Sequence, residues 1–109
     1  MKGIILAALL VIALSIQVPG IDVSYCQTNI DWQRVKNAGK KFAIVRWGYG
    51  TGHKDDYLEQ NYKNAKAVGM PIGLYLYSYP RSPGDGTAEA TAMLEWMHGK
   101  QFEYPIYYD

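Results

Sequence analysis

Three glycines stand thirty residues apart, at Gly39, Gly69 and Gly99, and each closes a run with helical apolar spacing. Glycine enters the left-handed conformation that ends a helix at no steric cost. A short, mostly apolar segment of strand character precedes each helical run. Thirty residues is about the length of one strand plus its crossover helix. Strands that alternate with helices specify an α/β architecture, a parallel sheet with helices packed outside it. The glycine period therefore fits three successive strand–helix units.

The elements follow in order. In Gly20-Ile21-Asp22-Val23-Ser24, Ile21 and Val23 face one side of a strand and Asp22 and Ser24 the other. Asn29 or Asp31 caps a first helix carrying Trp32, Val35 and Ala38 as its apolar stripe. The near-continuous apolar run Phe42 to Trp47 predicts a strand buried on both faces. Gly48-Tyr49-Gly50-Thr51-Gly52 reads as a flexible loop. Asp55 or Asp56 caps a second helix whose inner face holds Leu58, Asn61, Tyr62, Ala65 and Val68. A third strand runs from Ile72 to Ser78, with Ile72, Leu74 and Leu76 on one side and Gly73, Tyr75 and Tyr77 on the other. After a Pro/Gly-rich loop over 80–86, a third helix begins at Thr87 and turns Ala90, Met93, Leu94 and Met97 inward. Pro105 to Asp109 is the fourth strand.

The first nineteen residues carry a different signal. Lys2 precedes an apolar run from Ile4 to Ile16, too short to span a bilayer, with small residues at Ala13 and Ser15. This is the pattern of a secretory signal peptide. The expectation is a leader over 1–19, a domain over 20–109, a secreted product and no membrane association after cleavage. A net charge of +1, with no basic run interleaved with aromatics, gives no sign of a nucleic-acid partner, and none is expected. Cys26 is the single cysteine, so its sulfur is either free and buried or paired outside the chain. His53 and His98 lack ligand spacing, so no metal site is expected. The glycine run at 48–52 lacks the spacing and the Lys-Ser/Thr ending of nucleotide loops, and no cofactor is expected.

In parallel α/β sheets the active site lies at the C-terminal strand ends. Here those ends carry Asp22 and Ser24, Arg46 and Trp47, Tyr77 to Tyr79, and Tyr107 to Asp109. They are polar, charged or aromatic, whereas the strand middles are apolar. Two carboxylates at neighbouring strand ends, Asp22 and Asp109, are the equipment of glycoside hydrolysis, one acting as acid and the other as base, nucleophile or stabiliser. The ordinary alternative is that Asp22 caps a turn. Ten tyrosines and three tryptophans suit either sugar stacking in a cleft or packing.

Gly20-Ile21-Asp22-Val23-Ser24 with Gln27 and Ile30-Asp31-Trp32 resembles the opening of the glycoside hydrolase family 25 lysozymes. Phe42 to Arg46 followed by Gly48-Tyr49-Gly50 is similar to that family as well. So are Asn61 with Ala65 and Gly69, then Gly73 to Ser78, Ala90 with Leu94, and Pro105 to Asp109. The resemblance implies a parallel (β/α) barrel of the TIM-like type, truncated here after the fourth strand. It implies a secreted muramidase that cuts the β-1,4 bond between N-acetylmuramic acid and N-acetylglucosamine in bacterial peptidoglycan, as a monomer and without a cofactor. Asp22 matches the family's first-strand aspartate, and Asp109 the aspartate of its Asp-x-Glu signature. The glutamate would stand two residues past Asp109, and Glu59, Glu89, Glu95 and Glu103 are not expected to replace it. The 109 residues alone are therefore expected to be inactive. Arg46, Tyr75, Tyr77 and Tyr107 are the expected substrate contacts. The competing expectation is a non-catalytic glycan-binding or half-barrel assembly module.

Overall fold

The computed structural model describes residues 18–79 and 81–108. The expected leader, apart from its last two residues, and the expected catalytic Asp109 lie outside them. The order is β1 (Gly20–Val23), a single 3-10 turn (Tyr25–Gln27), α1 (Trp32–Asn37), β2 (Phe42–Tyr49), β3 (His53–Lys54), α2 (Leu58–Ala67), β4 (Ile72–Tyr77), α3 (Asp85–Met97) and β5 (Ile106–Tyr108). The sheet runs β1-β2-β4-β5, every neighbouring pair parallel, and β3 adds an antiparallel pair to β2. The α/β fold with a parallel sheet is thus the one that the glycine period demands.

One face of the sheet meets the helices. Val23, Ala43, Val45, Trp47, Ile72, Leu74 and Leu76 are buried there, against Trp32 of α1, Leu58 and Ala65 of α2, and Met93 and Trp96 of α3. Burying each large side chain here stabilises by about 1.5–3 kcal/mol. β2 departs from the expected burial on both faces. Ala43, Val45 and Trp47 are buried, while the alternate residues Phe42, Ile44 and Arg46 are half-buried. The reason is that helices cover one face only, and the other carries the mouth-facing residues.

Caps follow the local chemistry in part. Asp31 caps α1, its Oδ1 accepting from the Arg34 amide at 3.2 Å. Neither Asp55 nor Asp56 caps α2, whose N-cap is Tyr57. Asp55 instead accepts from the Tyr57 amide at 2.8 Å and reaches across to the Tyr25 amide at 2.9 Å. α3 begins at Asp85, two residues before the expected Thr87. Its inner face is Glu89, Met93 and Trp96, and Leu94 is exposed, so the helix is rotated by about one residue from the expected stripe.

The glycine run is not a flexible loop. Gly48 and Tyr49 belong to β2 and pair with Lys54 and His53, making a tight hairpin. A Cβ on Gly48 would stand 2.0 Å from the His53 carbonyl oxygen, so only glycine lets the two strands close. Gly73 does the same in β4, where a Cβ would meet the Pro105 carbonyl oxygen at 2.5 Å and Ile44 Cδ1 at 2.6 Å.

At the opposite end of the sheet, Glu103 receives both Lys66 Nζ, at 2.6 Å, and the Ile72 amide, at 3.2 Å. The Lys66 hydrogen bond chiefly, with the Ile72 amide in support, holds its carboxyl below the usual 4.5. A depressed folded pKa adds stability above the unfolded value, and that stability is lost as pH falls through the folded value. Glu103 is 40% exposed, so the gain is below about 1 kcal/mol. Lys66→Met therefore raises the Glu103 midpoint in a carboxyl NMR titration. Its small loss of thermal stability at neutral pH vanishes once the pH is well under 4.5.

Candidate functional site

The cleft is built on the sheet face that the helices leave uncovered. Register places Asp22 beside Ile44, Arg46 beside Tyr75, and Tyr75 beside Tyr107. Paired residues project to the same side, so one face carries Asp22, Ile44, Arg46, Tyr75 and Tyr107. Asp22, Ile44, Tyr75 and Tyr107 line a common open cavity of about 470 Å³. Asp22 is exposed near the C-terminal end of β1, Tyr75 is half-buried and Tyr107 exposed. Three of the residues singled out from the sequence are thus brought together.

Burial pushes the Tyr75 phenol above its ordinary 10, opposed by the Arg46 charge and reinforced by the negative charges of Asp22 and Asp55. Near neutral pH Tyr75 therefore stands as a neutral hydrogen-bond donor on the cavity it shares with Asp22.

Arg46 and Tyr77 lie elsewhere on the mouth. The Arg46 guanidinium sits 3.6 Å from the buried Asp55 carboxylate, and its Cζ lies 5.5 Å from the centres of both the Tyr25 and Tyr49 rings. It lines an adjoining cavity of about 420 Å³ together with Tyr25, Tyr49, His53 and Asp55. Cation–π contact with two rings, with a carboxylate in addition, holds the guanidinium in place. Tyr77 is exposed, pairs in register with Tyr49 and packs 6.4 Å from Tyr79. A third cavity, of about 340 Å³, continues from Tyr49 and His53 to Tyr79 and Arg81. His53 stacks flat on Tyr49, 4.7 Å between centres. The mouth is therefore rimmed by aromatic rings, each with a polar tip.

Sequence reading missed the groups that hold this rim. Asp55, read as a helix cap, is the partner of Arg46 and of the Tyr25 amide. Glu89, considered from the sequence only as a replacement for the signature glutamate and set aside, has no exposed surface. Its Oε1 accepts from the Tyr108 hydroxyl at 2.6 Å and from Ser78 Oγ at 3.1 Å, and its Oε2 accepts from the Tyr79 amide at 2.7 Å. The Tyr108 hydroxyl first, then the Tyr79 amide, holds the Glu89 carboxyl below the usual range, and Glu89 in turn raises the Tyr108 phenol. Glu89 partners lie ten or more residues away, so no local pattern marks it. Cys26 is exposed, which removes the first of its two expected alternatives, a free buried sulfur.

Comparison with known proteins bears on this arrangement. Lysozyme M1 of Streptomyces globisporus is 44% identical over 73 residues, which is 67% of this chain and 24% of that protein. The modular autolysin LytC of Streptococcus pneumoniae superimposes with a TM-score of 0.74 at 34% identity, over 82% of this chain and 22% of that one. LytC has also been solved in complex with a synthetic peptidoglycan ligand. A family 25 glycosyl hydrolase from Bacillus anthracis superimposes with a TM-score of 0.73 at 27% identity, over 84% of this chain and 42% of that one. The chain thus spans less than half the length of these relatives, and its parallel sheet is part of their TIM-like barrel. Residues 21–107, β1 through β5, match the glycosyl hydrolases family 25, and the chain belongs to that family.

Proposed function

We propose that this chain supplies the first strands of a secreted muramidase. Its substrate is bacterial peptidoglycan, cut at the β-1,4 bond between N-acetylmuramic acid and N-acetylglucosamine. The observation that carries the reading is the shared cavity of Asp22, Tyr75 and Tyr107 at the C-terminal strand ends, in a member of a glycosidase family. The ligand bound by LytC belongs to the same substrate class.

In this reading residues 1–19 are the leader and residues 20–109 the barrel segment. Asp22 positions the sugar and supplies negative charge near the scissile bond, where an oxocarbenium-like transition state develops positive charge. Asp109 orients the N-acetyl group or stabilises the same charge. The proton donor is the glutamate that the family places two residues beyond it. Tyr75, as a neutral donor, hydrogen-bonds a sugar hydroxyl. Tyr107 and the exposed Tyr77 offer rings to the apolar sugar faces, and Arg46 anchors the rim on which Tyr25 and Tyr49 stand. No cofactor takes part, and the enzyme acts as a monomer.

Clearing of a purified cell-wall suspension tests the reading. A version extended through the family's glutamate and the rest of the barrel, called full-length below, is expected to lower the turbidity and to release muramic acid reducing ends, while the 109 residues alone do not. Release of N-acetylglucosamine reducing ends would overturn the bond assignment. Binding without any release would favour a non-catalytic glycan module.

A further inference from the structure

Glu89 is a fully enclosed carboxylate that the proposed chemistry does not use. Enclosing a charge is costly unless donors satisfy it, and an apolar residue of the same size often serves stability as well. Here three donors converge on it, and they come from two neighbouring strand ends. Ser78 and Tyr79 follow directly on β4, and Tyr108 closes β5. Ser78 Oγ also stands 3.0 Å from the Tyr108 hydroxyl, so the two strand ends touch at the carboxylate; each hydroxyl has one proton, and with both directed to Glu89 this contact adds no further hydrogen bond. Both ends carry rings of the mouth. Tyr79 borders the rim cavity, and Tyr107, one residue before the anchored Tyr108, lines the Asp22 cavity.

We propose that Glu89 is a positioning residue. From α3 its carboxylate clamps the C-terminal ends of β4 and β5 together and sets where Tyr79 and Tyr107 stand over the cleft. The claim rests on the muramidase reading for its effect on turnover, but not for the clamp itself. The physical basis is that a charged acceptor strengthens each hydrogen bond it receives and fixes direction. A strand end held at one point alone can tilt, whereas two ends tied to one helix residue move only together.

The test uses the full-length protein with Glu89→Gln, Tyr108→Phe and the double variant. Gln keeps the size and can still accept from the Tyr79 amide, so the chain folds while the charge is lost. A displacement of about 1 Å at a site can cost up to about a hundredfold in rate. The expected result is a fall in kcat of about tenfold for Glu89→Gln, with KM changed by less than about threefold. Because both variants break one unit, the double is expected to be no worse than Glu89→Gln, a non-additive cycle. Met93→Val, chosen to lower the thermal midpoint elsewhere on α3, leaves kcat unchanged. Amide hydrogen exchange at Tyr79 and Tyr107 is read in parallel and is expected to quicken about tenfold in Glu89→Gln. Unchanged exchange, or a double variant whose loss is the product of the single losses, overturns the clamp. Absence of hydrolysis by the wild-type protein counts against the muramidase reading instead, and the exchange rates still decide the clamp.

Discussion

Asp22→Asn is expected to lower peptidoglycan hydrolysis by the full-length protein by about a hundredfold or more, while its thermal midpoint stays within about 2 °C. The substitution preserves shape and removes only charge. Asp22 is exposed at the mouth rather than buried among the helices, so the fold does not depend on its ionisation. The surface energy at stake is within about 0.5 kcal/mol. The chemistry is another matter. In the proposed muramidase reaction positive charge develops at the anomeric carbon, and a carboxylate fixed near it would stabilise the transition state more than the ground state. The loss must therefore fall on kcat more than on KM. Initial rates of turbidity clearing together with a thermal melt check it. A variant that kept a third of the wild-type rate would remove Asp22 from the machinery.

The second large effect is on folding. Leu74→Ala is expected to cost about 2–5 kcal/mol, measured by chemical denaturation. Leu74 lies in β4 between β2 and β5 and is 0% exposed. Truncation removes its transfer free energy and leaves a cavity that the parallel neighbours cannot close without losing their ladder. Domains are stable by only about 5–15 kcal/mol, so such a loss is a large part of the whole. The contrast with Asp22 separates the two faces of the sheet. One face holds the protein together, and the other faces the cleft.

The contrast also shows which parts were legible in the residues alone. Strand alternation at Ile72 to Tyr77 put Tyr75 and Tyr77 opposite the apolar set because the period of two is a property of the backbone, independent of context. Asp31 was legible because a cap partner is three residues away. Gly39 and Gly69 were legible as helix ends for the same local reason, and both take positive φ. Leu94 was misplaced because two stripes one residue apart both satisfy helical spacing on α3. The choice between them was made by the buried contacts of Glu89 and Trp96 with other elements. The hairpin at Gly48 escaped notice because its reason is a close approach to the backbone of His53.

The sequence by itself determined the α/β class, the parallel order implied by its βα period, and the strand ends that carry polar and aromatic groups. These follow from short-range rules, the two-residue and 3.6-residue periods and glycine's access to positive φ. Only the tertiary structure decided which polar residues meet. Register between strands set Asp22, Tyr75 and Tyr107 around one cavity and moved Arg46 into the next. Packing of α3 turned Glu89 toward Ser78, Tyr79 and Tyr108, and the crossing from β2 drew Asp55 to Arg46 and Tyr25. Hydrogen bonds between residues ten to thirty apart depend on how elements dock, and docking is selected by burial of the apolar face as a whole. A carboxylate's partners are therefore written in the fold, while its place on a strand or helix is written in the residues beside it.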